Sequence, residues 1–522
     1  MSYTIGIDYG SDSARAVLVD AADGKILSAS TFNYPRWAEG RWCDPSKNQF
    51  RQNPLDYLEA LEHVLGEVVA ACPDRKEIKA ISVDSTGSTP CFTDAEGRPL
   101  CLYHEFANDP DAMFILWKDH TGAQEAEEIT AAAAPAGYAS QSGNHYSSEC
   151  TWAKVLHVHR TNPRISEAAG GIIEEADYIT NVLTGCRDFS KMKISHCIPA
   201  AKQMYKEEWG GFPPDSFFAS IDPALPKLRH LTPDRNYYSD EAAGNISPEW
   251  AAKLGLEESV VIGVGNCDAH SGAVGGGIEE GKAVLNIGTS ACYMAIARNP
   301  ELIPGVFGEA DGSIVRGYYG LEAGLSAFGD IFAWMKRLLC WGREDDPALL
   351  AKLNEEAQAL PLREDAPLAT DHFNGRRCPD PNNFITAAIS GLRITTGAPE
   401  VYRALVEAAA FASRAAIELY TGHGVRVDRM VAIGGIPNKS PFVMQTLADV
   451  LGKPVEVSAC KDSCALGAAI HAAVAAGLYK DVFEAEKAMA PGSAACYVPD
   501  ESRREYYERR FARYKALASF CE

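Results

Sequence analysis

Apolar and polar residues alternate from Tyr3 to Asp20 on both sides of Gly10, a pattern that predicts two strands joined by a glycine turn. Asp23-Gly24 turns the chain again, into a third strand from Lys25 to Phe32. At Asn53-Pro54 the period lengthens: Leu58, Leu61, Val64, Leu65, Val68 and Val69 fall on one face of a helix that runs to about Cys72. Ile78 to Val83 is a continuous apolar run, read as a buried strand, and it ends in the polar stretch Asp84-Ser-Thr-Gly-Ser-Thr89. Helices are predicted over 125–134 and 150–160, and a strand followed by a short helix over 172–183. Val260-Val-Ile262 is a further buried strand, leading into Gly263-Val-Gly-Asn-Cys-Asp-Ala-His270.

The opening plan recurs at 283–297, where Gly288-Thr289-Ser290 separates two strand patterns. Beyond it the pattern predicts helices over 331–339, 344–360, 399–422 and 443–451, and strands over 368–377, 427–433 and 455–457. The small-residue stretch 465–474 reads as a helix fit for close packing against a neighbour. Two segments are expected at the surface: the Pro-rich 213–233 and a charged amphipathic helix over 503–517.

A chain of 522 residues exceeds one ordinary core, so two large domains are expected. The net charge of −21 argues against nucleic acid and anionic membrane surfaces, yet leaves room for a phosphate ligand held by backbone N–H groups and a metal. Fifteen cysteines without a C-x-x-C pair read as free thiols in a reducing cytoplasm. Neither a signal peptide nor a membrane-spanning run is expected.

Several residues carry candidate chemistry. Asp268 lies just past a strand end, where it reads equally as a proton acceptor or as the cap of the next helix. In the first turn, Gly10 lets the backbone approach a phosphate, Ser11 and Ser13 offer hydroxyls, and Asp8 suits Mg²⁺ held through water; taken alone, a plain hairpin turn with a solvated Asp is the simpler reading. Trp117, with Lys118 and Asp119, offers an aromatic face and hydrogen-bonding groups to a polyol, although a Trp in such a run is more often core. Gly434-Gly435 lets a flat ring lie against the backbone. Gly276-x-x-x-x-Gly281-Lys282-Ala283 resembles a Walker A loop but places Ala where the Mg²⁺-binding hydroxyl belongs, and a strand where the helix should follow.

Taken in order, D-Y-G-S-D-S, V-D-S-T-G-S-T, G-N-C-D-A-H, N-I-G-T-S, A-I-G-G-I-P-N and A-L-G-A-A-I resemble the FGGY family of carbohydrate kinases, within the actin and hexokinase superfamily. L-W-K-D-H-T, G-L-E-A-G-x-S-A-F-G-D and F-N-G-R-R add to the likeness, which covers nearly the whole chain. The resemblance implies an α/β fold of two actin/hexokinase-like (ribonuclease H-like) domains with a cleft between them: residues 1–274 with the sugar site and first phosphate turn, and residues 275–522 with the second phosphate turn and the adenosine site. It implies phosphoryl transfer from ATP, with Mg²⁺, to a ketopentose, L-ribulose first and xylulose, ribitol or glycerol as alternatives; an actin- or chaperone-like ATPase ranks well below. Residue by residue, it makes Asp268 catalytic and substrate-binding. Ser88, Thr89, Trp117, Tyr146, Lys202 and Glu322 meet the sugar, and Asp8 is associated with Mg²⁺. Gly10, Ser11, Ser13, Gly288 and Thr289 receive phosphate, and Gly434, Gly435 and Asn438 receive adenosine. A homodimer acting on small molecules, without nucleic acid or membrane, completes the expectation.

Overall fold

The computed structural model describes residues 2–382 and 384–522. The chain divides into two compact units, one of residues 1–277, 310–320 and 462–490, the other of residues 278–309, 321–461 and 491–522.

The first unit is built on a mixed sheet. Its strands are β1 (Tyr3–Tyr9), β2 (Ser13–Asp20), β3 (Ile26–Asn33), β4 (Ile78–Ser85), β5 (Ala242–Asn245), β6 (Val261–Gly263) and β7 (Asn266–Cys267). They lie in the order β5-β6-β4-β1-β2-β3, with β7 also paired to β4. The alternating opening pattern becomes the antiparallel β1–β2–β3 meander, as the sequence predicts. Ile5, Ile7 and Tyr9 are buried against Tyr57, Leu61 and Val64 of the helix Pro54–Ala70, whose first turn is capped by the Asn53 side chain. The helix Ser463–Ala475, far along the chain, covers the other face. A Cβ on Gly6 would collide with the Ala465 carbonyl, and one on Gly467 with the Ser271 carbonyl, so strand, helix and helix meet at backbone distance.

A second core within this unit gathers Phe92, Ile115, Trp152, Leu156, Phe217, Phe218, Leu225 and Leu228. The last four belong to the segment 213–233, expected at the surface. It instead folds into the short helices Asp215–Ile221 and Leu225–Arg229, which bury one face each. Frequent prolines break the periodicity that would have shown this from the sequence.

The other unit carries β8 (Gly281–Ile287), β9 (Ala291–Ala297), β12 (Val427–Ile433), β13 (Val455–Ser458) and β14 (Ser493–Tyr497), with the parts of β10 (Gly308–Asp311) and β11 (Tyr319–Leu325) outside residues 310–320; the strand order is β10-β11-β9-β8-β12-β13-β14. The β8–β9 hairpin repeats the β1–β2 plan. A strand, not a helix, follows Gly281, which removes the Walker A reading. The strand Tyr319–Leu325 was hidden by its glycines, and the stretch 368–377 keeps only Leu368–Ala369 as strand. The helix expected from 344 begins at Leu349.

The C-terminal helix Arg504–Phe520 is not a surface helix: Tyr506, Tyr507, Phe511 and Tyr514 are buried, and the Arg510 guanidinium meets Glu407 at 2.7 Å with both side chains fully enclosed. The charged residues made this helix look solvated, but one buried ion pair and a row of tyrosines fix it to the helix Ala398–Gly422. Among the described residues no helix is long and apolar enough to cross a membrane. All fifteen cysteines are free thiols.

Candidate active site

In the first unit, parallel pairing of β1 with β4 sets Asp8 opposite Asp84, and β7 places Asn266 on the other side of Asp84. Two residues on, Asp268 opens the helix Asp268–Gly275, its Oδ1 accepting from the Ala269 N–H at 2.6 Å. Asp268 is not the cap, which is Cys267, but the first residue of the helix; it stands at the positive helix end, which favours a carboxylate, and it faces other acids. Like charges side by side on neighbouring strands destabilise a fold, which points to use rather than stability.

Asp84 is fully buried and its two oxygens make no hydrogen bond of normal geometry; the nearby Ser271 hydroxyl is likewise without a partner. Burial, then the charges of Asp8 and Asp268, push Asp84 well above the ordinary carboxylate range. Burial also raises Asp8, against the pull of the Arg15 guanidinium, which is itself paired with Asp462 at 3.0 Å. The Cys464 thiol is raised by burial and by the charges of all three acids, which marks the carboxylates as one group. An orphaned acid beside two others suits a hard cation. Among the described residues no three His, Cys, Asp or Glu side chains close round a point for direct ligation, so the fit is to an ion that keeps its waters.

The first glycine turn joins this group. The Gly10 N–H donates to the Ser13 carbonyl at 3.0 Å, and a Cβ on Gly10 would find nothing of the protein closer than 3.4 Å. Ser11 is held from two sides: Gln52 Nε2 donates to its carbonyl at 2.6 Å and Trp117 Nε1 to its Oγ at 2.9 Å. Trp117 is half-buried, and its indole N–H thus reaches the first glycine turn. Its neighbours depart from the polyol-facing expectation: Asp119 is buried in an ion pair with Arg51, and the Lys118 ammonium stacks over Trp37 and Phe50 at 5.0 and 4.9 Å.

Ser88, Thr89, Tyr146 and Lys202 form the next layer, all buried. Ser88 Oγ donates to Glu174 Oε1 at 2.7 Å, and the Thr89 N–H to Glu174 Oε2 at 2.7 Å. The Tyr146 hydroxyl donates to the Lys202 carbonyl at 2.7 Å while accepting from the Trp152 N–H at 3.1 Å. Lys202 ends the helix Cys197–Lys202, whose Cys197 Sγ lies 2.6 Å from Nδ1 of His270 on the Asp268 helix. Glu175 accepts from Thr86 Oγ1 at 3.1 Å; burial raises its pKa well above the usual range, and the charge of Asp268 adds to the effect. Asp84, Glu174 and Glu175 were missed in the sequence. Polar residues at a strand end were the only signal, and burial of a carboxylate is invisible until its neighbours are known.

In the second unit the remaining residues gather at one end of β8 and β12, whose register sets Asn286 against Ile433. The Gly288 N–H donates to the Ser290 carbonyl at 2.9 Å, and the Thr289 carbonyl accepts from the N–H groups of Phe328 (2.7 Å) and Asp330 (3.1 Å), where the helix Gly329–Leu339 starts. Gly434 has φ +99°, and a Cβ there would stand 2.6 Å from the Ile287 carbonyl, so only glycine fits. Gly435 opens on free space, and Asn438 Nδ2 donates to the Gly434 carbonyl at 2.9 Å. Glu322 lies in this unit too, buried on β11 beside the Cys292 thiol at 3.6 Å.

Comparison with known proteins gives the family. Residues 3–275 match the N-terminal domain of the FGGY family of carbohydrate kinases, and residues 283–476 its C-terminal domain. A ribulokinase of Vibrio parahaemolyticus is 37% identical, covering 100% of this chain and 96% of its own length; one of Shouchella clausii is 33% identical, covering 99% and 95%. Among solved structures, ligand-bound xylulose kinase from Lactobacillus acidophilus superposes with a TM-score of 0.83 at 20% identity, covering 100% of this chain and 98% of that one. Plasmodium falciparum glycerol kinase with ADP gives 0.80 at 17%, covering 99% and 98%. The chain belongs to the FGGY family of carbohydrate kinases, and it is a sugar kinase that uses ATP.

Proposed function

We propose that this enzyme transfers the γ-phosphoryl group of ATP to a hydroxyl of L-ribulose, giving the 5-phosphate. The observation that carries the reading is the acid group of half-buried Asp8, fully buried Asp84 and half-buried Asp268 beside an open glycine turn, in a chain whose full-length relatives are named ribulokinases.

Phosphoryl transfer asks for positioning and for stabilisation of charge on the γ-phosphate. Mg²⁺, when bound, neutralises phosphate charge; Asp8 would hold it through water, and the orphaned oxygens of Asp84 fit the same hydrated ion. Asp268 accepts the proton of the sugar hydroxyl as its oxygen bonds to the γ-phosphorus and the bond to ADP breaks. Gly10, Ser11 and Ser13, with Gly288 and Thr289, donate to phosphate oxygens. Gly434, Gly435 and Asn438 receive adenosine. Lys202, Trp117 and Glu322 orient the sugar, with Ser88, Thr89 and Tyr146 forming its wall. The first 274 residues carry the first turn and the sugar site apart from Glu322, and the rest carry the second turn and the nucleotide. The free thiols suit a cytoplasmic enzyme, which we take to be a homodimer.

Coupled measurement of ADP release with L-ribulose, D-ribulose, L-xylulose, ribitol and glycerol tests the reading. The highest kcat/KM is expected with L-ribulose; a clear preference for glycerol or ribitol would replace it with a polyol kinase.

A further inference from the structure

We propose that Glu174 is a positioning residue for the sugar substrate, the common anchor of three chain segments that wall the sugar site. The inference rests on the reading above, in which the Ser88–Thr89 turn and Lys202 face the sugar.

Glu174 is the last residue of the strand Gly171–Glu174, opposite Pro90 in an antiparallel pair, and its side chain is buried. Its Oε1 accepts from Ser88 Oγ at 2.7 Å, Thr151 Oγ1 at 2.9 Å and Gln203 Nε2 at 3.2 Å, and its Oε2 from the Thr89 N–H at 2.7 Å. Four donors from sequence positions 88–89, 151 and 203 thus converge on one carboxylate. Ser88 Oγ and Thr151 Oγ1 also lie 2.7 Å apart, so two of the segments are tied to each other as well as to the carboxylate, in a medium of low dielectric where such bonds are strong.

Each donor leads to a candidate substrate-facing residue. Thr89 Oγ1 lies 2.9 Å from Thr86 Oγ1, which reaches Glu175 and so the neighbourhood of Asp268. Gln203 directly follows Lys202. Thr151 opens the helix whose Trp152 N–H meets the Tyr146 hydroxyl, the group that holds the Lys202 carbonyl. The Lys154 side chain closes the other side, donating to the carbonyls of Ser88 at 2.7 Å and Leu116 at 2.8 Å. None of these partners belongs to the unit that carries Gly288 and Gly434. Loss of the anchor should therefore reach the sugar and leave the nucleotide.

A carboxylate can accept all four bonds, whereas a glutamine of the same shape must turn an NH₂ group towards at least one donor. In the full-length enzyme, Glu174→Gln is expected to raise KM for the best ketopentose about tenfold or more while KM for ATP stays within about twofold. Thr151→Val, which removes a single donor at constant shape, should shift the sugar KM in the same direction by about threefold. An unchanged sugar KM in Glu174→Gln overturns the proposal. So does an equal rise in both KM values, or a fall in kcat alone that follows the folded fraction seen by circular dichroism. If Glu174→Gln does not fold, Thr151→Val decides by the same split. Wild-type enzyme inactive on every ketopentose would instead defeat the assigned function; active wild-type enzyme with unaffected variants would defeat only the role of Glu174.

Discussion

The two glycine turns share one plan and have opposite surroundings. Gly10 sits between β1 and β2 next to Asp8, Asp84 and Asp268, and side chains from distant segments, Gln52 and Trp117, hold Ser11. Gly288 sits between β8 and β9 among backbone: the Gly434 bend, the start of the helix Gly329–Leu339, and the carbonyls and N–H groups that join them. One turn is bordered by titratable groups that can take a proton or attract a cation. The other is bordered largely by peptide groups, which can lie close to a flat or anionic ligand, with Asp330 in the first turn of the adjoining helix as an acidic neighbour. Under the proposed function, the strand-turn-strand plan would serve chemistry in one copy and holding in the other.

The comparison breaks most readily at Asp268. Asp268→Asn keeps the shape and removes the proton acceptor, and kcat is expected to fall by roughly 10²–10⁴ with KM for ATP little changed. Rates within a few-fold of wild type would take proton transfer away from the first turn. Gly434→Ala is the counterpart in the holding turn. Its added Cβ at positive φ against the Ile287 carbonyl should cost about 1–3 kcal/mol of stability and raise KM for ATP, read by thermal unfolding and by ATP titration. Little change in either would mean that the bend relaxes easily and does not shape the nucleotide side.

A smaller effect is expected from Trp117→Phe. It keeps the ring and deletes the N–H to Ser11, a bond worth about 0.5–1.5 kcal/mol, or roughly 2- to 12-fold in kcat/KM. If Trp117 serves the first turn through Ser11, the loss appears when ATP is varied as well as when sugar is varied; a loss confined to sugar assigns the indole to the sugar alone.

A further expected effect concerns pH, and it sharpens the picture of the charged unit. Burial pushes the Asp177 carboxyl up to about 8, although the Ser195 N–H donates to it at 2.7 Å. Above the ordinary carboxylate pKa the unfolded chain releases this proton and the folded chain retains it, so the group lowers stability progressively as pH rises towards 8. Asp177→Asn still accepts the Ser195 bond and removes the titration. Its melting temperature should gain on wild type as pH is raised from about 5 to about 8. A constant difference across that range would show that Asp177 has the same affinity for its proton in both states.

Much of this was legible from residue pattern. The β1–β2 and β8–β9 hairpins follow from alternation around a glycine, the helix Pro54–Ala70 from its apolar stripe, and the close-packed helix Ser463–Ala475 from its small residues. The order of motifs gave the family. Hidden features were those in which burial contradicts residue type. Asp84 reads as a strand-end polar residue until β1 and β7 flank it. Glu174 and Glu175 look like an acidic helix start until Ser88, Thr89, Thr151 and Gln203 surround the first of them. The helix Arg504–Phe520 carries charges that mask its tyrosines. In each case the deciding partner lies tens to hundreds of positions away, beyond the reach of local periodicity.

The helix Ser463–Ala475 has a bearing on how the molecule is made. It packs on β1 and on the Asp268 helix so tightly that Gly6, Gly275 and Gly467 admit no side chain, yet it is translated almost two hundred residues after Asp268. A ribosome that has delivered β1 to β7 has therefore made Asp8, Asp84 and Asp268 but not the helix that packs over their strands. The emerging chain must keep that apolar face from wrong partners until nearly the last tenth of its synthesis, which makes the end of translation, and not its middle, the moment at which catalytic competence is acquired.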